Sequence, residues 1–182
     1  MNREDLIRQL IESIDPNPGR EGLVDTPQRV DKSYEHLFSG YKMDPAEMIT
    51  TFKNEGYNDM ILLKDIEFYS FCEHHMIPFF GRAHIAYIPG EKIVGLSKIP
   101  RLVDIFSRRL QNQERITTQI AHAMMDLIAP KGVAVVLEAK HLCMMARGVE
   151  KQNSMVTTSS LHGLFKKRPE TRAEFLRLLD KS

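Results

Sequence analysis

Apolar residues near the start of the chain recur three and four positions apart, at Leu6, Ile7, Leu10, Ile11 and Ile14, a period that predicts an amphipathic helix. Pro16, Pro18, Gly19 and Gly22 interrupt it as a loop. Thr26-Pro27 then reads as an N-cap followed by proline at the first helical position. The helix it opens carries Val30, Tyr34, Leu37 and Phe38 along one side. Asp44-Pro45 repeats the start signal for a short helix through Met48. Residues 1–58 are therefore expected to form a helical N-terminal region.

The pattern changes at Met60. Ile61-Leu62-Leu63 and the stretch from Ile66 to Phe71 are rich in apolar and aromatic residues and predict strand. Gly81 to Ile88 alternates loosely and predicts a second strand, ended by Pro89-Gly90. Ser97 is expected to cap a helix with Ile99, Leu102, Val103 and Phe106 inward, and Pro100 falls in its tolerant first turn. A second helix from about Gln113 turns Ile116, Ile120, Ala123, Met124 and Leu127 to one side until Pro130-Lys131-Gly132 stops it. Val133 to Leu142 reads as a β-branched strand with Met155 to Ser160 as its hairpin partner. Thr171 and Glu174 have capping-box spacing for a last helix carrying Phe175, Leu176 and Leu179. This order predicts an α+β domain over 59–182, with a largely antiparallel sheet and helices on one face. Such a sheet has open edges, so pairing between subunits is expected.

Composition narrows the function classes. The 182 residues are 42% hydrophobic and 27% charged, a globular balance that excludes wholesale disorder. A chain this long buries roughly 70% of its unfolded surface and needs no disulfide staples. Twenty-five basic against 24 acidic residues leave a net charge of +1, which argues against nucleic-acid or membrane partners recognised by a global field. Lys166-Lys167-Arg168 is short and lacks interleaved aromatics, so it reads as a solvated turn. Apolar runs such as Val133 to Leu137 are too short to span a bilayer. Met1-Asn2-Arg3-Glu4-Asp5 lacks the charge and apolar pattern of a signal peptide, so a cytoplasmic protein is expected. The ten methionines read as core filler.

Two cysteines are too few for a disulfide framework, but their neighbours suggest chemistry. Cys72 opens Cys72-Glu73-His74-His75, and Cys143 closes His141-Leu142-Cys143. A tight turn can aim Cys72 and His75 at one point, while His141 and Cys143, two apart on an expected strand, would face one side of the sheet. Sulfur with imidazole favours Zn²⁺ over Mg²⁺ or Ca²⁺. Side chains of adjacent histidines diverge on an extended backbone, so Cys72, His75 and Cys143 are the expected ligands, with water in the fourth position. His74 and His141 would then stand beside the metal as proton carriers. A closed Cys₂His₂ structural site is the alternative, and the plainest reading is a buried thiol among ordinary polar histidines.

Taken with Gly95-Leu96-Ser97-Lys98, Gln113-Glu114-Arg115 and His141-Leu142-Cys143-Met144-Met145-Ala146-Arg147-Gly148, the Cys-Glu-His-His segment closely resembles the GTP cyclohydrolase I family, in order from about Gly22 to Leu179. The resemblance implies conversion of GTP and water to 7,8-dihydroneopterin triphosphate and formate, the entry to folate and pterin synthesis. It implies the tunnelling fold, in which subunit sheets join into a barrel, and a homodecamer of two pentamers with active sites at subunit interfaces. By position it assigns Cys72, His75 and Cys143 to one zinc per subunit, and His74 and His141 to acid–base work. It assigns Glu114 to guanine, Lys98, Arg101, Arg147 and Arg29 to the triphosphate, and Ser97 and Gln113 to further pocket positions.

Those residue types suit the chemistry. Guanine presents N1–H and an exocyclic amine side by side, which a carboxylate such as Glu114 accepts together; adenine would place an acceptor there. Taken alone, Glu114 reads as a solvated first-turn glutamate favoured by the helix dipole. Lys and Arg suit a triphosphate, and Lys98 and Arg101 sit where helix amides attract anions but where cations are unfavourable for the helix itself. Gly90 and Gly95 have P-loop spacing, but Leu96-Ser97-Lys98 follows, so bound phosphates should be gripped and left intact. Two other readings compete: a zinc-stabilised nucleotide-binding oligomer without turnover, and a related tunnelling-fold enzyme acting on another purine or pterin.

Overall fold

Asn2 starts the first helix through a capping box: its side-chain oxygen accepts from the Asp5 N–H, and the Asp5 carboxylate accepts from the Asn2 N–H. Helices α1 (Arg3–Ile14), α2 (Glu21–Val24) and α3 (Thr26–Leu37) belong to a compact unit spanning Met1–Ser39 of the computed structural model, which describes residues 1–180. Within that unit α1 packs on α3. Thr26 is the first residue of α3 rather than its cap, with Asp25 preceding it and Pro27 buried in the first turn. Ile7 and Ile11 are half-buried, while Leu6, Leu10 and Ile14 remain exposed.

The second unit begins at Gly40. In chain order it contains α4 (Pro45–Met48), β1 (Thr51–Lys53), β2 (Ile61–Cys72), β3 (Pro78–Ile88), β4 (Lys92–Val94), α5 (Lys98–Ser107), β5 (Leu110–Gln111) and α6 (Gln113–Ile128). β6 (Gly132–His141), α7 (Leu142–Met145), β7 (Val156–Gly163), α8 (Leu164–Lys167) and α9 (Pro169–Leu179) follow. The main sheet has the order β5-β2-β3-β6-β7 and is antiparallel except where the two-residue β5 runs parallel to the end of β2. The four long strands are those the hydrophobic pattern predicts. β1, in a stretch expected to be helical, instead pairs with β4 as a separate two-stranded sheet.

One irregularity sets which way the site points. Between Leu63 and Ile66, β2 advances three residues while its partner advances two, from Ile85 to Ala83. The extra residue is a bulge, with Asp65 in the left-handed region at φ 57°. Without it, the two-residue period of the strand would send Leu63 and Ile66 to opposite faces. With it, Ile61, Leu63, Ile66, Phe68 and Cys72 all join the core that α5 and α6 cover. Phe79, Ala83, Ile85 and Tyr87 of β3, and Val133, Val135, Leu137 and Ala139 of β6, complete that layer. Gly81 sits where any Cβ would lie 1.8 Å from the Glu138 carbonyl oxygen, so only glycine lets β3 and β6 approach so closely there.

Helices α5 and α6 cover one face, as expected; α8 and α9 additionally cover part of the other face, where Phe165 and Phe175 pack with Ala86, Ile88, Ala134 and Val136. Three local signals resolve differently from expectation. Ser97 precedes α5 without a side-chain capping bond. α9 begins at Pro169, two residues before Thr171, because proline at the first turn starts the helix and no capping box forms. The strand predicted to reach Leu142 ends at His141, and Cys143 lies in the helical turn α7.

Candidate active site

At the end of β2 the chain reverses tightly. The Cys72 carbonyl accepts from the N–H groups of His75 (3.3 Å) and Met76 (2.8 Å), and the Cys72 N–H donates to the Ile77 carbonyl (2.9 Å). Met76 absorbs the turn with φ 53°. This folds His75 back until its Nδ1 lies 3.5 Å from Cys72 Sγ. On the adjoining strand, β6 stops at His141 and α7 swings the buried Cys143 to the same point. The ligand atoms of Cys72, His75 and Cys143 lie within 4.8 Å of one another. The expectation that His141 and Cys143 share a strand face is thus corrected: a helical turn, not strand alternation, brings Cys143 to the cluster.

The donor set fits a tetrahedral zinc ion. Zn–S and Zn–N bonds at tetrahedral angles separate sulfur from nitrogen by about 3.5 Å, the separation found between Cys72 and His75. Both cysteines are free and buried. Burial pushes the Cys143 thiol above its ordinary range, and the neighbouring Cys72 pushes it further. A buried thiol that resists ionising in isolation, with a second sulfur beside it, is what a divalent cation would stabilise as thiolate. His74 is not part of the three-ligand group; its Nδ1 is 3.8 Å from Cys72 Sγ. The backbone here is a turn rather than extended, yet the rings of His74 and His75 still diverge, edge-on with centroids 6.1 Å apart.

His141 is held on two sides. Its ring stacks on Phe79 at 4.5 Å with 5° between planes, and its Nε2 is 2.8 Å from Gln113 Oε1. Gln113, itself buried, donates its amide hydrogens to the carbonyls of Leu137 (3.0 Å) and Val156 (2.9 Å). Its oxygen is therefore the atom facing His141, so His141 Nε2 carries a hydrogen and Nδ1 is the atom left to exchange a proton. Burial holds the His141 pKa below its ordinary value, and the Glu114 carboxylate opposes that shift. Sequence reasoning put Gln113 at the pocket without its link to His141, and it missed Phe79, which no local pattern marks.

Glu114 is exposed in the first turn of α6. Ser97, Lys98 and Arg101 gather at the head of α5, with Ser97 and Arg101 exposed and Lys98 half-buried. Arg147 is exposed just beyond α7, where its charge acts on Cys143. Arg29 belongs to the first unit, on α3, where it donates to the Gly22 carbonyl at 3.0 Å and pairs with Asp25 at 3.7 Å. A separate concavity of about 380 Å³ lies on the sheet, lined among others by Tyr69, Phe80, Arg82 and Lys140; it includes none of the cluster residues. Among the described residues no helix is long and apolar enough to cross a membrane.

Comparison with known proteins identifies relatives of this chain. Residues 3–180 match the family model described as GTP cyclohydrolase I. Three of the relatives that carry the name GTP cyclohydrolase 1 span nearly all of this chain. The Leptospira biflexa protein is 58% identical over 97% of this chain and 97% of its own length. A Campylobacter jejuni protein is 55% identical over 97% and 94%, and the Deinococcus radiodurans protein 56% identical over 96% and 82%. A solved structure, an archaeosine synthase QueF-Like in the apo form, superposes with a TM-score of 0.49 at 14% identity, covering 60% of this chain and 97% of its own. With the match extending over nearly every residue, including both cysteine segments and the head of α6, the chain belongs to the GTP cyclohydrolase I family.

Proposed function

We propose that this protein opens the imidazole ring of GTP at C8 with water and rearranges the product to 7,8-dihydroneopterin triphosphate with release of formate, the first step of pterin and folate synthesis. The observation that carries the reading is the three-ligand cluster of Cys72, His75 and Cys143 in a chain of this family. Three protein ligands leave a zinc ion a free position, the pattern of catalytic rather than structural sites. When bound, zinc supplies ionisation of water near neutral pH, worth roughly 12 kcal/mol for a pKa brought from 15.7 to about 7.

The chain's own groups supply the rest. Glu114 accepts from the N1–H and amine of guanine and so excludes adenine. His74, exposed beside the ligand turn, protonates the ring nitrogen that gains charge as C8 is attacked. His141, with Nδ1 free, serves the later transfers as formate leaves and the new ring closes. Each positioned acid or base contributes about 10²–10⁴-fold. Lys98, Arg101, Arg147 and Arg29 grip the triphosphate, and Ser97 adds a hydroxyl at the same helix head. Gln113 serves the pocket by holding His141 in one tautomer.

We further place residues 59–182 as the catalytic part and 1–58 as a preceding region, helical apart from β1. The assembly proposed is a cytoplasmic homodecamer of two pentamers, joined through sheet edges into barrels. The outer edge of β7 and the exposed Leu6, Leu10 and Ile14 stripe of α1 support assembly. Incubation of the purified protein with GTP tests the reaction: formate and pterin absorbance should appear together, cease when a chelator strips the metal, and return with zinc. A protein that binds GTP and zinc yet yields neither product would reduce it to a binding module.

A further inference from the structure

Cys72-Glu73-His74-His75 and Gln113-Glu114-Arg115 each contain a residue to which the reading above gives no role, and the fold brings those two together. Arg115 sends Nη1 to Glu73 Oε2 at 2.5 Å and Nη2 to Glu73 Oε1 at 2.9 Å, a two-pronged pairing across 42 residues of chain. Asn112 adds a third bond, donating from Nδ2 to Glu73 Oε1 at 3.2 Å, while its own Oδ1 caps α6 by accepting the Arg115 N–H at 2.8 Å. The Glu73 N–H donates to the Gln111 carbonyl at 3.0 Å, continuing the register of β2 with β5. Gln111 is buried, donates to the Phe106 carbonyl and Gln119, and accepts from Arg115 Nη1 at 3.3 Å.

We propose that Glu73 and Arg115 are a positioning pair that sets the spacing between the metal-ligand turn and the head of α6, and thereby places guanine C8 over the metal centre. This rests on the functional reading above, in which Glu114 holds the purine edge. Glu73 lies one residue after Cys72 and two before His75, and Arg115 directly follows Glu114. The pair therefore joins the two halves of the site at the shortest available distance along each backbone.

A stabilising role explains the pair poorly. Its side chains are 27% and 43% exposed, and exposed ion pairs contribute little to folding. The turn is already closed by its own backbone bonds, and α6 is already capped by Asn112. Arg115 also stands in the first helical turn, where a cation opposes the helix dipole. A geometric role explains what lysine there could not do: the planar fork fixes both distance and angle against a carboxylate. Misplacing a reacting atom by about 1 Å can cost 10²-fold in rate.

The test compares the wild-type protein with Arg115→Lys, Glu73→Gln and the double variant, measuring zinc per chain, melting temperature, and KM and kcat for GTP. Each single change should lower kcat about 10–100-fold while zinc content and melting temperature stay at wild-type values and KM moves less than about threefold. The double variant should be no slower than the slower single one, because both changes break the same two-pronged pairing; Glu73 Oε1 also lies 3.8 Å from His74 Nε2, a contact that Arg115→Lys leaves in place. Wild-type kcat in both single variants, losses that multiply in the double, or a fall in kcat that tracks lost zinc or lost folding would each overturn the pairing role. Arg115→Lys, which keeps charge and helix propensity, carries the test should Glu73→Gln fail to fold. A wild-type protein inert toward GTP would overturn the functional reading and the pairing role together, whereas an active wild type with active variants would overturn the pair alone.

Discussion

Gln113 spends both amide hydrogens on the carbonyls of Leu137 and Val156, so its oxygen has only His141 to meet. Gln113→Ala removes that oxygen together with the amide that meets the Leu137 and Val156 carbonyls, at about 1–3 kcal/mol for a buried group left unpaired. Chemical denaturation should register that loss, with a fall in kcat larger than the stability change explains. His74→Ala is expected to keep zinc, since His74 is outside the three-ligand cluster, and to slow turnover about 10²–10⁴-fold. Metal analysis beside a rate measurement checks both halves, and loss of zinc would make His74 a ligand. Glu114→Ala should chiefly raise KM for GTP and erode its preference over ATP; an unchanged preference would remove Glu114 from purine recognition. The spacing of Cys72 and His75 was legible in the sequence because a turn closes over a few residues. Phe79 beneath His141 was not, because a cross-strand stack depends on the register of β3 with β6.

The bulge in β2 does for the site what no single side chain does. Deleting Asp65 would restore strict alternation and turn either Leu63 or Cys72 away from the core. Such a deletion should lose zinc binding and lower the melting temperature together, while a substitution to glycine, which accepts φ 57° freely, should retain both. The same bulge seats His84. The Asp65 N–H donates to His84 Nδ1 at 3.2 Å, and the buried Nε2 has no hydrogen-bond partner. Burial holds the His84 pKa below its ordinary 6.5, although Asp65 and Glu138 oppose this and Lys64 and Arg82 add to it. The folded state thus takes up a proton only at lower pH than the unfolded chain does. Stability should be complete above pH 6.5 and decline as pH falls from there through the lowered folded value. The His84→Gln variant should decline less over that window in urea titrations; His141 and His162, also lowered by burial, keep some slope in place. The four long strands were readable from period-two and β-branched patterns. β1, β4 and β5, of two or three residues each, were too short to carry a period and exist only because partners lie alongside.

At the scale of the whole molecule, β7 ends the main sheet with eight residues whose outer edge pairs with no strand among the described residues. An edge of that length offers a ladder of donors and acceptors to a second copy. Native mass spectrometry should find a particle of about ten chains of 21.0 kDa. A proline at Ser159, mid-edge, should break it into smaller species if its N–H serves the interface, and activity should fall with the assembly because the proposed sites lie between subunits. A monomer with full turnover would remove the decamer from the proposal.

By itself the sequence determined what depends on near neighbours: the helical and strand periods, the Cys72–His75 turn, and the chemical character of each candidate ligand. The order of its motifs also carried the family resemblance, which the comparisons bear out. Only the tertiary structure decided which face Cys72 occupies, that Cys143 arrives on a helical turn, that Gln113 dictates the His141 tautomer, and that Glu73 meets Arg115 across 42 residues. The physical reason is range. A period or a turn is set by dihedral angles within a few residues, whereas these contacts arise from strand register and helix packing, which the whole core fixes at once.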